Sequence, residues 1–227
     1  MMRKNIADTS VNKGKRKTHS DAQRQAILDA AVRVFAEQGF RGGGLTTLAR
    51  EVGMTHTNVL HHFGSKKDLL NAVVARRDAE EASIIDGQVQ LSGLAALKAL
   101  VKLSQQLVAN PLYPKLFTVL IAENLEPEEQ LHDYFVKRNQ RMRSTIAHAI
   151  RDGQRQAEIR ADVDADRVAA EVMSFIVGTQ VQWLLDPDGI DVNGAYERYF
   201  GRLVQDLSRP GREPEGLLAM RLQTDLN

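Results

Sequence analysis

Six short polar side chains lie within eight residues of one another in the segment LTTLAREVGMTHTNVLHHF, which spans residues 45–63. The six are Thr55, His56, Thr57, Asn58, His61 and His62. Side chains of these types donate and accept hydrogen bonds, and they suit the edges of bases and the oxygens of phosphates. The segment therefore carries the chemistry that recognition of a nucleic acid requires.

The apolar residues of the same segment predict two short helices joined by a tight turn. Leu48, Ala49 and Val52 form one face of the first helix, and Gly53 supplies the tolerance of positive φ that a turn needs. The second face resumes at helical spacing with Met54, Val59, Leu60 and Phe63. This spacing predicts a helix-turn-helix, which places its second helix in the DNA major groove. The alternative is an αα-hairpin with a polar outer face.

The charge of the chain supports a nucleic-acid surface near its N-terminus. The formal net charge is only +1, but residues 1–80 hold 14 Lys and Arg against 8 Asp and Glu, which gives +6. Residues 81–227 hold 16 against 21, which gives −5. The predicted helix-turn-helix thus lies in the positive part of the chain.

The composition predicts a cytoplasmic globular protein of one large or two small domains. The 227 residues are 43% hydrophobic, which is enough for a core, and they include no cysteine. Disulfides and thiolate metal sites are therefore excluded, and a reducing cytoplasm is compatible. No apolar run approaches the roughly 18 residues of a membrane span, so we expect no membrane partner.

The remainder of the chain predicts an all-α fold. Residues 1–19 are polar and basic and predict a disordered arm, which is either a solubilising tail or a contact to phosphates or the minor groove. Ser20 and Gln23 predict a capping box at the start of the first helix, and Gly39 ends that helix. Further helices are predicted at about 65–85, 92–109, 112–124, 127–153, 164–185 and 193–207. These elements predict a DNA-binding domain at 20–64, a helical body at 65–208 and a tail at 209–227.

With these residues in view, the chain resembles the TetR family of transcriptional repressors. The resemblance is carried by AVRVFAEQGF, the hairpin and HHFGSKKDLL, and it covers residues 22–74. The stretch VQWLLDP at 181–187 also resembles a segment of the family's penultimate, dimerising helix. The resemblance implies nine or ten helices, of which three bind DNA and the others hold a ligand pocket and a four-helix dimer interface.

The resemblance also implies roles for residues of the predicted DNA-binding surface. Thr55 matches the cap of the recognition helix, His56, Thr57 and Asn58 match base-reading positions, and His61 and Lys66 match phosphate-binding positions. Lys66 has a simpler alternative as a solvent-exposed loop lysine. Two residues depart from the family pattern: Leu60 replaces a tyrosine, and Gly44 replaces a threonine at the start of the hairpin. Thr46 completes the predicted surface.

The three histidines at positions 56, 61 and 62 could suggest a metal site. His61 and His62 are adjacent, so they point about 100° apart on a helix, and few carboxylates are near. We therefore expect no metal. The chain also lacks a nucleophile elbow, a Gly-rich phosphate loop and a His-Glu metal motif, so we expect neither catalysis nor a cofactor. The acidic groups at Glu128, Glu129, Asp162, Asp164 and Asp166 are explained as helix starts.

Two sets of residues in the predicted body carry hypotheses about binding. The candidate ligand pocket comprises Phe117, Leu120, Ile121, His132, Phe135, Met142, Met173 and Gln180, each of which could instead be plain core. The candidate dimer interface comprises Phe175, Thr179, Trp183, Tyr196, Tyr199, Phe200 and Leu203, for which an intramolecular core is the alternative.

The predicted function is that of a homodimeric repressor, which binds a palindromic operator and is released by a small-molecule effector. Two recognition helices related by a twofold axis read a palindrome whose half-sites lie roughly 34–36 Å apart. One alternative is an effector-independent or architectural DNA-binding protein. The other is a helical enzyme with a vestigial hairpin, which the apolar body disfavours.

Overall fold

The computed structural model describes residues 7–86 and 92–209. These residues form nine α-helices and no β-strand, in agreement with the predicted all-α class. The helices are α1 (Ala7–Gly42), α2 (Leu45–Glu51), α3 (His56–Phe63), α4 (Lys66–Asp86), α5 (Gly93–Val108), α6 (Leu112–Glu123), α7 (His132–Arg155), α8 (Ala165–Leu185) and α9 (Val192–Leu207). The predicted tail from residue 210 onward and the first six residues of the predicted arm lie outside the described residues.

The described chain divides into two compact units. The first unit comprises residues 7–80 and Lys115–Glu123, and the second comprises residues 81–86, 92–114 and 124–209. Helices α4 and α6 therefore each contribute residues to both units. The sequence predicted a boundary after residue 64. The first unit instead includes most of α4, whose Leu69, Leu70 and Val73 are fully buried.

The first unit is built on the apolar face of α1. Helix α1 packs against α2, and α2 packs against α3. The buried residues of these three helices are Ile27, Leu28, Ala30, Ala31, Val32, Val34, Phe35, Ala36, Leu48, Ala49, Val59 and Phe63. Two contacts involving charged side chains add to this packing: Arg33 pairs with Glu51 at 2.5 Å, and the Arg24 guanidinium lies 4.5 Å from the centre of the Phe63 ring.

Helix α1 is longer at its N-terminus than the sequence predicted. It begins at Ala7, so residues 7–19 are helical rather than a disordered arm, and Ser20 lies inside the helix instead of capping it. No proline interrupts this stretch, so the backbone hydrogen bonds of the helix can continue through it. The predicted end is confirmed, because Gly39 leaves helical geometry with φ 72° and ψ 172°.

Helix α7 begins at His132, five residues after the predicted start at Pro127. The amides of Glu129 and His132 bond to carbonyls three residues back, at 3.1 and 3.2 Å, which is the pattern of successive turns. The buried side chain of Asn124 accepts a hydrogen bond from the Leu131 amide at 2.8 Å and anchors these turns. A proline and two acidic residues therefore mark turns that precede the helix.

The core of the second unit is formed by α5, α7, α8 and α9. Its buried residues include Leu97, Ile146, Ile150, Val172, Ile176, Tyr196, Phe200 and Val204. The starts of α8 and α9 are capped by Asp164 and Asp191, whose carboxylates accept hydrogen bonds from nearby backbone amides. The second unit also contains a largely buried ion pair, in which Arg138 of α7 contacts Glu81 of α4 at 2.5 Å.

Candidate DNA-binding surface

Helices α2 and α3 form a helix-turn-helix with the geometry that the apolar spacing predicted. Gly53 turns the chain with φ 65°, and the Met54 amide donates to the Ala49 carbonyl at 2.8 Å. Ala49, Val59 and Phe63 are buried where the two helices and α1 meet. The polar residues between these positions therefore face outward.

The outer face of α3 carries the predicted base-reading residues. His56, Thr57, Asn58 and His61 are exposed, while Leu60 is half-buried. Thr55 caps the helix, because its hydroxyl accepts a hydrogen bond from the Asn58 amide at 3.2 Å. The cap fixes the first turn of α3, and the residues at the N-terminus of a recognition helix are those that contact base edges.

Helix α2 follows Gly44, the residue that replaces the threonine of the family pattern. Gly44 has extended backbone geometry and caps the helix without a side-chain hydrogen bond. Thr46 is exposed, and so are Thr47 and Arg50, which the sequence interpretation did not single out. Arg50 is a charged residue next to buried Ala49, and its charge was a signal for exposure that the sequence interpretation overlooked.

The junction between α1 and α2, defined as residues 39–44, is closely packed. The Gly43 amide donates to the Gly39 carbonyl at 2.9 Å. A Cβ at Gly43 would lie 2.8 Å from that carbonyl oxygen and 2.9 Å from Cδ1 of Phe35. Glu123 of α6 also reaches the junction, where its carboxylate accepts hydrogen bonds from the amides of Phe40 and Arg41.

Lys66 lies against this junction. Its ammonium nitrogen is 3.5 Å from the Arg41 carbonyl oxygen and 4.6 Å from the centre of the Phe40 ring. Burial lowers the pKa of Lys66, and the nearby Glu123 carboxylate opposes that shift. Lys66 therefore contacts protein groups in this structure, and its contact with a DNA phosphate stays a prediction.

The histidine pair does not form part of a metal site in the described ranges. The rings of His61 and His62 are 6.0 Å apart and nearly perpendicular. Within residues 7–86 and 92–209, no three His, Cys, Asp or Glu side chains come together in a way that could hold a metal ion.

The candidate pocket residues are divided between the two units. Phe117, Leu120 and Ile121 lie in the first unit, and the other five lie in the second. In the second unit, Met173 is buried in the core and Met142 packs against it, as the plain-core alternative predicted. The His132 ring contacts the Asn124 carbonyl at 3.2 Å, so this polar group has a partner within the fold.

Two residues of the candidate dimer interface belong to the core of the second unit. Tyr196 is fully buried and Phe200 is 1% exposed, so neither is available to a second copy. Burial also raises the pKa of Tyr196 to about 12. They were assigned to the interface because the predicted helices at 164–185 and 193–207 carry apolar residues beyond one modest stripe. The inner stripe is wide because α9 packs against both α5 and α8. The remaining five are half-buried.

Helices α8 and α9 also expose apolar surface. Val177 is 41% exposed and Leu185 is 81% exposed, and the rings of Phe175 and Tyr199 stack at 3.8 Å. Among the helices of the described residues, α8 alone is long and apolar enough to cross a membrane by length and composition. The sequence interpretation missed this property of α8. Only 28% of its most apolar stretch is buried.

The first unit thus defines a helix-turn-helix DNA-binding module, and comparison with known proteins gives the family. Residues 27–73 match the model of bacterial regulatory proteins of the tetR family, and residues 123–208 match the C-terminal model of BetI-type transcriptional repressors. The chain belongs to the TetR family of transcriptional regulators. It is accordingly a regulator and not an enzyme.

Individual relatives agree with this family. The chain is 31% identical over 128 residues to TtgW of Pseudomonas putida, an uncharacterized HTH-type transcriptional regulator, with 56% of this chain and 94% of that one covered. It is 28% identical over 175 residues to the regulator SrpR, also of Pseudomonas putida, with 76% and 81% covered. A transcriptional regulator from Saccharomonospora viridis, solved in complex with choline, superposes with a TM-score of 0.69 at 26% identity, covering 83% and 99%.

We predict that Gly43→Ala destabilises the protein by about 1–3 kcal/mol, because the added methyl group overpacks the junction against Phe35 and the Gly39 carbonyl. The matched control is Gly42→Ala, whose methyl group would meet only the Gln38 Cβ, at 3.7 Å. The free energy of unfolding is measured by urea denaturation at one fixed protein concentration. Equal effects of the two substitutions would contradict the role assigned to Gly43.

Proposed function

We propose that the protein is a homodimeric repressor in the cytoplasm, which binds a palindromic DNA operator and is released by a small-molecule effector. The observation that carries the DNA-binding part is the exposed face of α3, where His56, Thr57 and Asn58 follow the Thr55 cap. The match of residues 123–208 to the BetI-type repressor model supports repression. Gly44, Thr46, Leu60, His61 and Lys66 complete the proposed DNA-binding surface.

A single α3 has only eight residues and reads few base pairs, so the proposal requires two copies. We infer that the copies pack through the exposed faces of α8 and α9. Phe175, Thr179, Trp183, Tyr199 and Leu203 are the proposed interface residues, together with exposed Val177 and Leu185. Gly178 and Gly201 support this packing, because a Cβ at either position would meet no atom within 4 Å and the backbones can be approached closely.

The same packing explains the apolar character of α8. A helix of this composition with so little of its apolar stretch buried exposes surface that water disfavours. A second copy removes that surface from water without a membrane. The proposed dimer therefore needs no lipid partner.

We predict that Asn58→Ala lowers the affinity for the operator by about tenfold, because a side-chain amide paired with a base edge supplies about 1–3 kcal/mol of discrimination. Fluorescence anisotropy measures binding to the DNA upstream of the protein's own gene and to a scrambled duplex, at two salt concentrations. Affinity for the scrambled duplex is expected to be unchanged by Asn58→Ala, since phosphate contacts dominate there.

The control for this prediction is Lys67→Ala, which removes an exposed charge next to Lys66 and is expected to affect both duplexes equally. Equal loss on both duplexes for Asn58→Ala would contradict its role in base reading. A wild-type protein that binds both duplexes equally and with steep salt dependence would instead support the alternative, an architectural DNA-binding protein.

We predict that Val177→Lys converts the dimer to a monomer of 25.3 kDa, because two unpaired cations would be buried across the proposed interface. The dissociation constant of the dimer is expected to rise at least about 100-fold by analytical ultracentrifugation. Val136→Lys is a matched control, since Val136 on α7 is 39% exposed and Val177 is 41% exposed. A dimer of unchanged affinity in the Val177 variant would place the interface elsewhere.

We infer that the effector binds in the second unit, where Phe135, Met142, Met173, His132 and Gln180 are the proposed contacts. Phe117, Leu120 and Ile121 lie in the first unit and stay predictions from the sequence. The Saccharomonospora viridis regulator in complex with choline supports a small-molecule ligand.

Compounds are screened, beginning with choline, for those that raise the melting temperature of the free protein. We predict that such a compound also lowers the affinity of the protein for operator DNA. Binding free energies are reciprocal: an effector that weakens DNA binding by a given factor is itself bound less tightly by the DNA complex, by the same factor. Anisotropy with and without the compound measures the factor. Stabilising compounds that leave DNA affinity unchanged would contradict effector release.

A further inference from the structure

Glu123 makes a close set of contacts with the junction between α1 and α2. It is the last residue of α6, and its carboxylate oxygens accept hydrogen bonds from the Phe40 amide at 2.7 Å and the Arg41 amide at 3.2 Å. Its own carbonyl accepts a third hydrogen bond, from the Arg41 guanidinium at 3.3 Å. All of these groups belong to the first unit.

The position of Glu123 is unfavourable for α6 by itself. A negative charge at the C-terminal end of a helix is repelled by the partial negative charge of the helix dipole. The cost is offset at the junction, because hydrogen bonds from amides to an ionised carboxylate are stronger than those between neutral groups. The nearby Lys66 ammonium further balances the charge of the carboxylate.

The junction is shaped to receive this carboxylate. Gly39 takes a φ of 72°, which residues other than glycine adopt only with strain. The Phe40 and Arg41 amides, which follow this turn, donate to the Glu123 carboxylate. A Cβ at Gly39 would collide with the Glu123 carboxylate. The glycine therefore provides both the backbone turn and the space.

We propose that Glu123 is a positioning residue for DNA reading, which holds the α1–α2 junction so that α3 is presented in one orientation. The path is short: Arg41 is followed three residues later by Gly44, the cap of α2, and α2 holds α3 through the Ala49 carbonyl and the Met54 amide. Glu123 contacts backbone amides of the protein, and this role needs no contact with DNA.

This inference rests on the proposed function, and it separates two kinds of DNA binding. Recognition of bases requires α3 in one orientation, whereas contact with phosphates tolerates several. Glu123→Gln keeps the shape of the side chain but loses its charge and replaces one of the two acceptor oxygens with an NH₂ donor, so one of the two amides loses the oxygen to which it donates in this structure.

The specific duplex is one that the wild-type protein selects from a random pool. We predict that Glu123→Gln lowers the affinity for this duplex by about tenfold, because charge-assisted hydrogen bonds of the junction are lost. Affinity for a scrambled duplex of the same length is expected to change by less than about twofold, since the phosphate contacts are retained. Amide hydrogen exchange in the full-length protein is expected to accelerate at Phe40 and Arg41. Glu126→Gln is the control, because it removes an exposed carboxylate three residues away.

An unchanged ratio of affinities for the two duplexes would overturn the proposal, even if Glu123→Gln lowers the melting temperature. If the glutamine variant folds poorly, Glu123→Asp retains the charge with a shorter reach and is expected to give an intermediate ratio; an unchanged ratio there would also overturn the proposal. A wild-type protein without preference for the selected duplex would overturn the proposed function as well, and so distinguishes the two failures.

Discussion

The presentation of α3 depends on the close packing of the chain between α1 and α2. The junction passes Phe35 so closely that Gly43 has no room for a side chain, and it turns at Gly39 in a conformation that favours glycine. Protein interiors are packed as densely as organic crystals, so a displacement here cannot be absorbed locally. The orientation of the helix-turn-helix on α1 therefore follows from a few contacts at its start.

The first unit divides its residues sharply between packing and surface. Apart from Arg77, its buried side chains are aliphatic or aromatic. The polar residues on the outer face of α3 are short, so α3 can approach a groove closely. Lys66 is a long polar side chain of this unit, and its ammonium lies over the Phe40 ring and near the Arg41 carbonyl. Such a residue can stabilise the junction whether or not it also contacts a phosphate.

The second unit combines a continuous apolar core with groups that only a folded chain can satisfy. Arg138 and Glu81 are 57 residues apart in sequence, and both side chains are largely buried in their ion pair. Breaking such a pair leaves a buried charge without its counterpart, so each residue constrains the other. The exposed apolar face of α8 is the complementary case, in which packing within the chain is incomplete.

Local patterns were sufficient for most of the fold. The period of the apolar residues, together with Gly39, Gly53 and the cap at Asp164, identified the helix-turn-helix and the order of the helices, and the resemblance to the family added the cap at Thr55. The start of α7 was wrong because Pro127 favours turns as well as helix starts, and the choice was made by Asn124, whose buried side chain holds the Leu131 amide. The start of α1 was wrong because a basic, polar stretch can remain helical when it continues a packed helix.

The sequence by itself determined the helical class, the helix-turn-helix and the residues exposed on α3, because each depends on spacing within a few turns of one helix. Only the tertiary structure decided that Glu123 binds the α1–α2 junction, that Lys66 lies on Phe40, and that Tyr196 and Phe200 are core residues. These facts depend on contacts between residues far apart in sequence. Helical periodicity identifies the apolar face of a helix, whereas the group that covers that face is chosen by packing in three dimensions.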